Sequence, residues 1–483
     1  MDAKNLKPRP PVVVVIGHVD HGKTTLLDYI RKTSVASREA GGITQSIGAY
    51  EIDHGGRKIT FIDTPGHEAF TKMRSAGAEV ADLAILVVAA EDGVKPQTKE
   101  AIEILNQTKT PFVVALNKID KPEANLEKVK NDLLTNGVLL EGYGGNVSYH
   151  GISAKTGEGV NDLLDLILLA ADVENLTSDP TASGSGFILE ARVDRQRGME
   201  TIAIVKNGTL KAGDFIGTAS VKGKVKILEN FLGERVKTLE PSAPALIIGL
   251  EKLPHVGEKF ETSSKEEFLI HAVQEKKASS ARKAGGPAEK NAQTLFLILK
   301  ASDAGSLSAL VALITGLESA ERIAVLREAV GEVNDGDVKL AIATGATIVG
   351  FKTRIDQAAK NLAENNRVKI ITSEIIYDLS KAVEEFLKAP VGAEVLGELK
   401  VLAVFNKEKT DKQIVGGTVA KGVIKNKSSF EIVRNGEPAG HGRILNLQEQ
   451  KKDANQVSEG SEAGLLVNAD AFVNVSDSLI IKK

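Results

Sequence analysis

Residues 11–17, PVVVVIG, run directly into GHVDHGKT at 17–24, and this junction constrains the chain more than any other feature. A continuous β-branched run reads as a strand buried on both faces. The Gly-x-x-x-x-Gly-Lys-Thr spacing lies between that strand and the helical pattern KTTLLDYIRK (23–32), the context a phosphate-binding loop requires. Gly17 and Gly22 let backbone N–H groups turn inward, with His18, Val19, Asp20 and His21 between them. Lys23 supplies a cation for β- and γ-phosphates, and the Thr24 hydroxyl suits Mg²⁺. Thr25 continues the first turn of a helix whose N-terminus favours anions. A chance Gly-rich turn is the competing reading, and the flanking strand and helix argue against it. Asp20 stands where a monovalent cation could be held.

Four segments follow in a fixed order. In REAGGITQSIG (38–48) two glycines predict a mobile loop, and Thr44 would reach Mg²⁺ only when a γ-phosphate is present. DTPGH (63–67) follows the strand-like KITFI; Asp63 can hold the Mg²⁺ shell and the Gly66 N–H can sense the γ-phosphate. His67 is the candidate for orienting an attacking water, against the plainer reading of a surface histidine. NKID (117–120) ends another apolar run, where the Asp120 carboxylate can accept from guanine N1–H and the exocyclic amine while Asn117 and Lys118 brace base and loop. SAK (Ser153, Ala154, Lys155) can offer backbone N–H groups to the guanine carbonyl. NKxD and SAK are weak signals alone; their order is what makes them specific. Together they predict a GTP/GDP site with Mg²⁺.

At 483 residues the chain exceeds one core. Alternating apolar runs and helical patterns over 11–170 indicate an α/β domain with a largely parallel sheet. SDPTASGSG (178–186) reads as a linker, and the short strands and Gly turns after it read as a small β-barrel. SKEEFLIHAVQEKKASSARKAGGPAEK (264–290) starts helical, 294–388 returns to α/β texture, and the last ~86 residues return to short strands. The fold class is therefore multidomain α/β plus β. Its parts are a tail (1–10), a P-loop GTPase domain (11–178), a β-barrel (184–262), a helical linker (263–292), an αβα domain (293–389) and a second β-barrel (398–483).

Composition closes off several functions. Without cysteine there is no disulfide, thiolate metal site or cysteine nucleophile. No apolar run approaches the ~18 residues of a membrane span, and MDAKNLKPRPP lacks a secretory core, which predicts a cytoplasmic protein with no membrane partner. A net charge of −3 argues against nonspecific coating of nucleic acid, and aromatic content of 4% argues against base-stacking platforms.

GHVDHGKTTLLDYIR, AGGITQSIGAY, DTPGHEAF, VVAAEDGVKPQT, NKIDKPEAN and SAKTGEG together resemble the GTPase domain of bacterial-type translation initiation factor two. The likeness is strong over 11–172 and looser beyond, with TIVGFKTRID (347–356) its clearest later point. Compared with that family, the sequence lacks the long N-terminal extension common in bacterial members. The resemblance implies a monomeric GTPase that brings initiator formyl-methionyl-tRNA to the small ribosomal subunit, promotes joining of the large subunit, and hydrolyses GTP to leave. Its implied partners are both ribosomal subunits, ribosomal RNA and that tRNA.

The last barrel departs from the family. Positions resembling its cysteine-bearing loops read VGGTV (415–419) and EAGLLV (462–467). Between them LNLQEQKKDAN (445–455) keeps Lys451 and Lys452, and residues 398–483 hold 13 Lys and Arg against 11 Asp and Glu. That near-neutral balance would bind RNA weakly by charge alone. Two alternatives stay open: a GTP-timed ribosome-associated assembly or scaffold factor without tRNA binding, and an elongation-type tRNA delivery factor. The second would carry a barrel where 294–388 looks α/β.

Overall fold

The computed structural model describes residues 5–31, 48–65, 68–265, 294–317, 320–388, 395–406, 412–434, 437–450 and 452–482. Thr44, Gly66, His67, Lys451 and most of the expected helical linker lie outside these residues. The chain divides into two compact units, Met1–Leu387 and Lys388–Lys483.

In the first unit, the β-branched run forms β1 (Val12–Gly17), with all six residues buried. It leads into α1 (Lys23–Arg31). Then come β2 (Gly48–His54), β3 (Arg57–Asp63), α2 (Thr71–Val80), β4 (Leu83–Ala89) and α3 (Pro96–Thr108). The series continues through β5 (Phe112–Asn117), α4 (Leu126–Thr135), β6 (Tyr149–Gly151) and α5 (Val160–Val173). The sheet order is β2-β3-β1-β4-β5-β6. Every pairing is parallel except β2 with β3. Apolar layers cover both faces of the sheet, which is why its central strands read as unbroken apolar runs. The weak segment 147–153 supplies only the three-residue β6.

Next, β7 (Ser185–Asp194), β8 (Gly198–Asn207), β9 (Phe215–Thr218), β10 (Lys222–Glu229), β11 (Pro244–Leu250) and β12 (Lys259–Ser263) close a barrel in the order β8-β11-β10-β9-β12-β7. The α/β part that follows contains β13 (Leu295–Ala301), α6 (Ala304–Thr315), β14 (Ile323–Val330) and α7 (Asp335–Thr344). It ends with β15 (Thr347–Phe351), α8 (Gln357–Asn366), β16 (Ile370–Ser373) and α9 (Ile376–Lys388). Its parallel sheet runs β14-β13-β15-β16.

These parts are joined by specific contacts. Asp82 accepts from Arg9 through both guanidinium nitrogens at 2.6 Å and from Lys206 at 2.5 Å, tying the sequence tail and the barrel to the GTPase core. Burial pushes the Lys206 ammonium down to about 8, against the pull of Asp82. Residues 7–8 also pair with 177–178, so this stretch is docked. On the other side, the Phe70 ring meets Phe351 of β15 at 6.3 Å between centroids.

In the second unit, β17 (Val395–Val404), β18 (Gln413–Lys425), β19 (Ser429–Arg434), β20 (Glu437–Glu449), β21 (Glu462–Ala469) and β22 (Ser478–Lys482) run in the order β17-β22-β19-β20-β21-β18. Pairing of β17 with β18 closes this ring around its own apolar core. Among the described residues no helix is long and apolar enough to cross a membrane.

Candidate functional site

The site lies at the carboxyl ends of β1, β3 and β5, where an open α/β sheet places its ligand crevice. Gly17 (φ +149°) and Gly22 (φ +87°) shape the loop between β1 and α1. A Cβ on Gly17 would lie 2.4 Å from the Val87 carbonyl oxygen, so no larger residue fits there. Asp20 adopts φ 64°, the left-handed region that Asp tolerates better than most residues. The Lys23 ammonium donates to the carbonyls of Gly17 (2.9 Å) and His18 (2.7 Å), holding the loop closed around itself. Burial lowers Lys23 to about 8, while the Asp63 carboxylate works against that fall. His21 is fully buried, and burial takes it down to about 4, leaving a neutral imidazole. His18 is lowered too, first by burial and then by Lys23.

Thr24 and Thr25 stand in the first turn of α1, whose N–H groups have no intrahelical acceptor. Asp63 ends β3 with 4% exposure, 3.8 Å from the Arg31 guanidinium. Among the described residues no three His, Cys, Asp or Glu side chains gather as a metal cluster. The donors near the P-loop are a threonine hydroxyl and a carboxylate, hard oxygens that suit Mg²⁺ completed by phosphate and water. Thr44, Gly66 and His67 cannot be placed against this geometry because they fall outside the described residues.

Asn117 ties three loops together. Its Nδ2 donates to the His21 carbonyl (2.8 Å), and its Oδ1 accepts from the N–H groups of Lys118 (2.8 Å) and Ala154 (2.9 Å). NKID and SAK are therefore brought together against the P-loop. The Ser153 hydroxyl donates to Asp120 (2.7 Å), and this bond holds the exposed Asp120 carboxyl below its ordinary range. The NKID loop thus carries an ionised carboxylate tied to the SAK loop. Lys118 donates to Glu91 (2.7 Å), with Lys121 on the other carboxylate oxygen (2.6 Å). Lys155 is exposed on the same loop.

Sequence reasoning missed several supports. The Gln97 side-chain oxygen accepts from the Val19 N–H (2.9 Å), and Arg74 donates to the Pro65 carbonyl (3.0 Å). Glu91 and Gln97 lie in VVAAEDGVKPQT, whose likeness to the family was visible without any indication of what these side chains hold.

The glycine-shaped loop closed on Lys23, the buried Asp63 carboxylate and the NKID and SAK loops joined through Asn117 have the arrangement of a GTPase site. The family comparisons agree with this class. Residues 9–172 match the elongation factor Tu GTP binding domain, and residues 183–263 match elongation factor G domain 2. Residues 271–384 match the translation-initiation factor 2 family. The chain belongs to the translation initiation factor IF-2 family. It is 40% identical to that factor from Rubrobacter xylanophilus, over 99% of this chain and 72% of the relative. Identity to the Bacillus pumilus factor is also 40%, over 96% of this chain and 68% of the relative. Among solved structures, GDP-bound aIF5B from Aeropyrum pernix covers 98% of this chain and is itself covered to 92%, at 26% identity and a TM-score of 0.45.

Proposed function

We propose that this translational GTPase binds GTP with Mg²⁺ and delivers initiator formyl-methionyl-tRNA to the small ribosomal subunit. It then promotes subunit joining and hydrolyses GTP to GDP and phosphate. In this reading the loop Gly17–Thr25 cradles the phosphates, Lys23 offsets β/γ charge, and Thr24, Asp63 and Thr44 hold the metal. Mg²⁺, when bound, neutralises phosphate charge. Asp120 reads guanine, with Asn117, Lys118 and the Ser153–Lys155 loop around it. Gly66 senses the γ-phosphate, and His67 positions the water that adds to the γ-phosphorus as the bond to the β–γ bridging oxygen breaks. The factor works in the cytoplasm as a monomer, against both subunits and ribosomal RNA.

One observation carries the tRNA part of this reading. In the C-terminal unit β18 and β21 pair Gly416 with Gly464 and Gly417 with Ala463. The two segments that lack the family's cysteines thereby become adjacent walls of one groove of about 490 Å³. Leu402 and Phe405 also line it, Phe405 being 73% exposed. Small residues leave room and apolar ones supply contact, so a methionine side chain could be buried there for ~1.5–3 kcal/mol without a basic field. Filter binding of formylated against unformylated methionyl-tRNA tests this. The full chain should prefer the formylated form, the preference should survive moderate salt, and Phe405→Ala should reduce it without loss of GTP binding. Equal binding of both tRNAs by a chain that still joins ribosomes in a GTP-dependent way would favour the scaffold reading.

A further inference from the structure

The largest fully buried side chain of the GTPase part is cationic. Arg74 on α2 is 1% exposed, and a guanidinium withdrawn from water is costly unless its bonds are well used. One terminal nitrogen donates to the Pro65 carbonyl at 3.0 Å. The other donates to Glu100 at 2.5 Å and to the Thr71 hydroxyl at 3.1 Å, while that hydroxyl itself donates to Glu100 at 2.5 Å. The planar fork thus spans from the backbone of the DTPGH segment to a carboxylate on α3.

The same helix grips the other wall of the site. Gln97, one turn before Glu100 on α3, accepts the Val19 N–H of the P-loop at 2.9 Å. P-loop and DTPGH backbone are therefore both referenced to α3, one through Gln97 and the other through Glu100 and Arg74. α2 also packs on the third part of the chain, where a Cβ on Gly305 of α6 would meet the Met73 methyl at 2.5 Å.

We propose that Arg74 is a positioning residue for GTP hydrolysis, acting through the Pro65 carbonyl to fix the chain after β3 against the P-loop. In this role it acts on the protein backbone and not on the nucleotide. Its contribution lies in the spacing between two loops, which matters for in-line attack and little for holding a diphosphate. Lysine keeps the charge but has no fork and cannot reach both the carbonyl and the Thr71–Glu100 pair.

The test measures ribosome-stimulated hydrolysis at saturating ribosomes for wild type, Arg74→Lys and Glu100→Gln, with GDP affinity and thermal midpoint determined on the same preparations. Arg74→Lys should lose ~10-fold or more in kcat. Its KM for GTP and its GDP affinity should stay within about twofold of wild type. Glu100→Gln retains hydrogen bonding without the charge, so it should fold normally and show a smaller loss confined to kcat. The proposal is overturned if folded Arg74→Lys keeps wild-type kcat. It is equally overturned if kcat and GDP affinity fall together in both variants, the pattern of a purely structural arginine.

Discussion

Replacing Asn117 with alanine removes one side chain and loosens three loops at once. The residue is 1% exposed, and its three hydrogen bonds of 2.8–2.9 Å reach His21, Lys118 and Ala154. Each such bond contributes ~1 kcal/mol net, and partners left buried without water cost more. The loop assembly should therefore lose about 3 kcal/mol, which corresponds to a roughly 100-fold weaker hold on nucleotide if the bound state requires all three loops in register. Asn117→Asp separates the contributions. It keeps the acceptor for Lys118 and Ala154 but sets a carboxylate oxygen against the His21 carbonyl, so the P-loop side alone should suffer. Titration with a fluorescent GDP analogue reads affinity, and urea unfolding reads stability. If Asn117→Ala binds GDP within twofold of wild type at unchanged stability, the bracing argument is wrong.

Asp120→Asn replaces the acceptor for guanine's two donors by an amide, and should shift preference from GTP to XTP, whose position 2 carries a carbonyl. A variant that still prefers GTP in competition assays would contradict the assignment. A linked proton offers a second check. Lys23 falls to about 8 in the free protein because it is buried, and phosphate beside it should raise it again. Binding above pH ~8 should then take up a proton and weaken as pH rises further, because only the free form has lost it. Calorimetry in buffers of different ionisation enthalpy should show this uptake at pH 9 and much less at pH 7; equal values would place the Lys23 ammonium away from the phosphates.

The nucleotide site was legible in sequence because its chemistry sits at fixed spacings next to apolar runs, and the structure brings the P-loop, NKID and SAK to one edge of the sheet. The barrels were legible as short strands between Gly turns, although ring closure between β17 and β18 has no local signature. Strand β2, with the sequence GAYEIDH, was not foreseen as an element of the sheet. It is an antiparallel edge strand with a single buried residue, so charges interrupt its apolar pattern. Glu91, Gln97 and Arg74 were equally invisible as site supports. Each bonds a residue of another segment, Lys118, Val19 and Pro65, from 9 to 78 positions away in the chain, and no periodicity announces such contacts.

Ribosome-dependent phosphate release from GTP tests the central claim most directly, with His67→Ala measured beside wild type. The account predicts that ribosomes strongly stimulate release by the wild-type chain. His67→Ala should bind GTP almost normally yet hydrolyse it ~10²-fold or more slowly, the scale of a group that positions water. A wild-type chain indifferent to ribosomes would contradict the assignment as a ribosome-stimulated GTPase. A variant that hydrolyses at the wild-type rate on ribosomes would remove His67 from the mechanism.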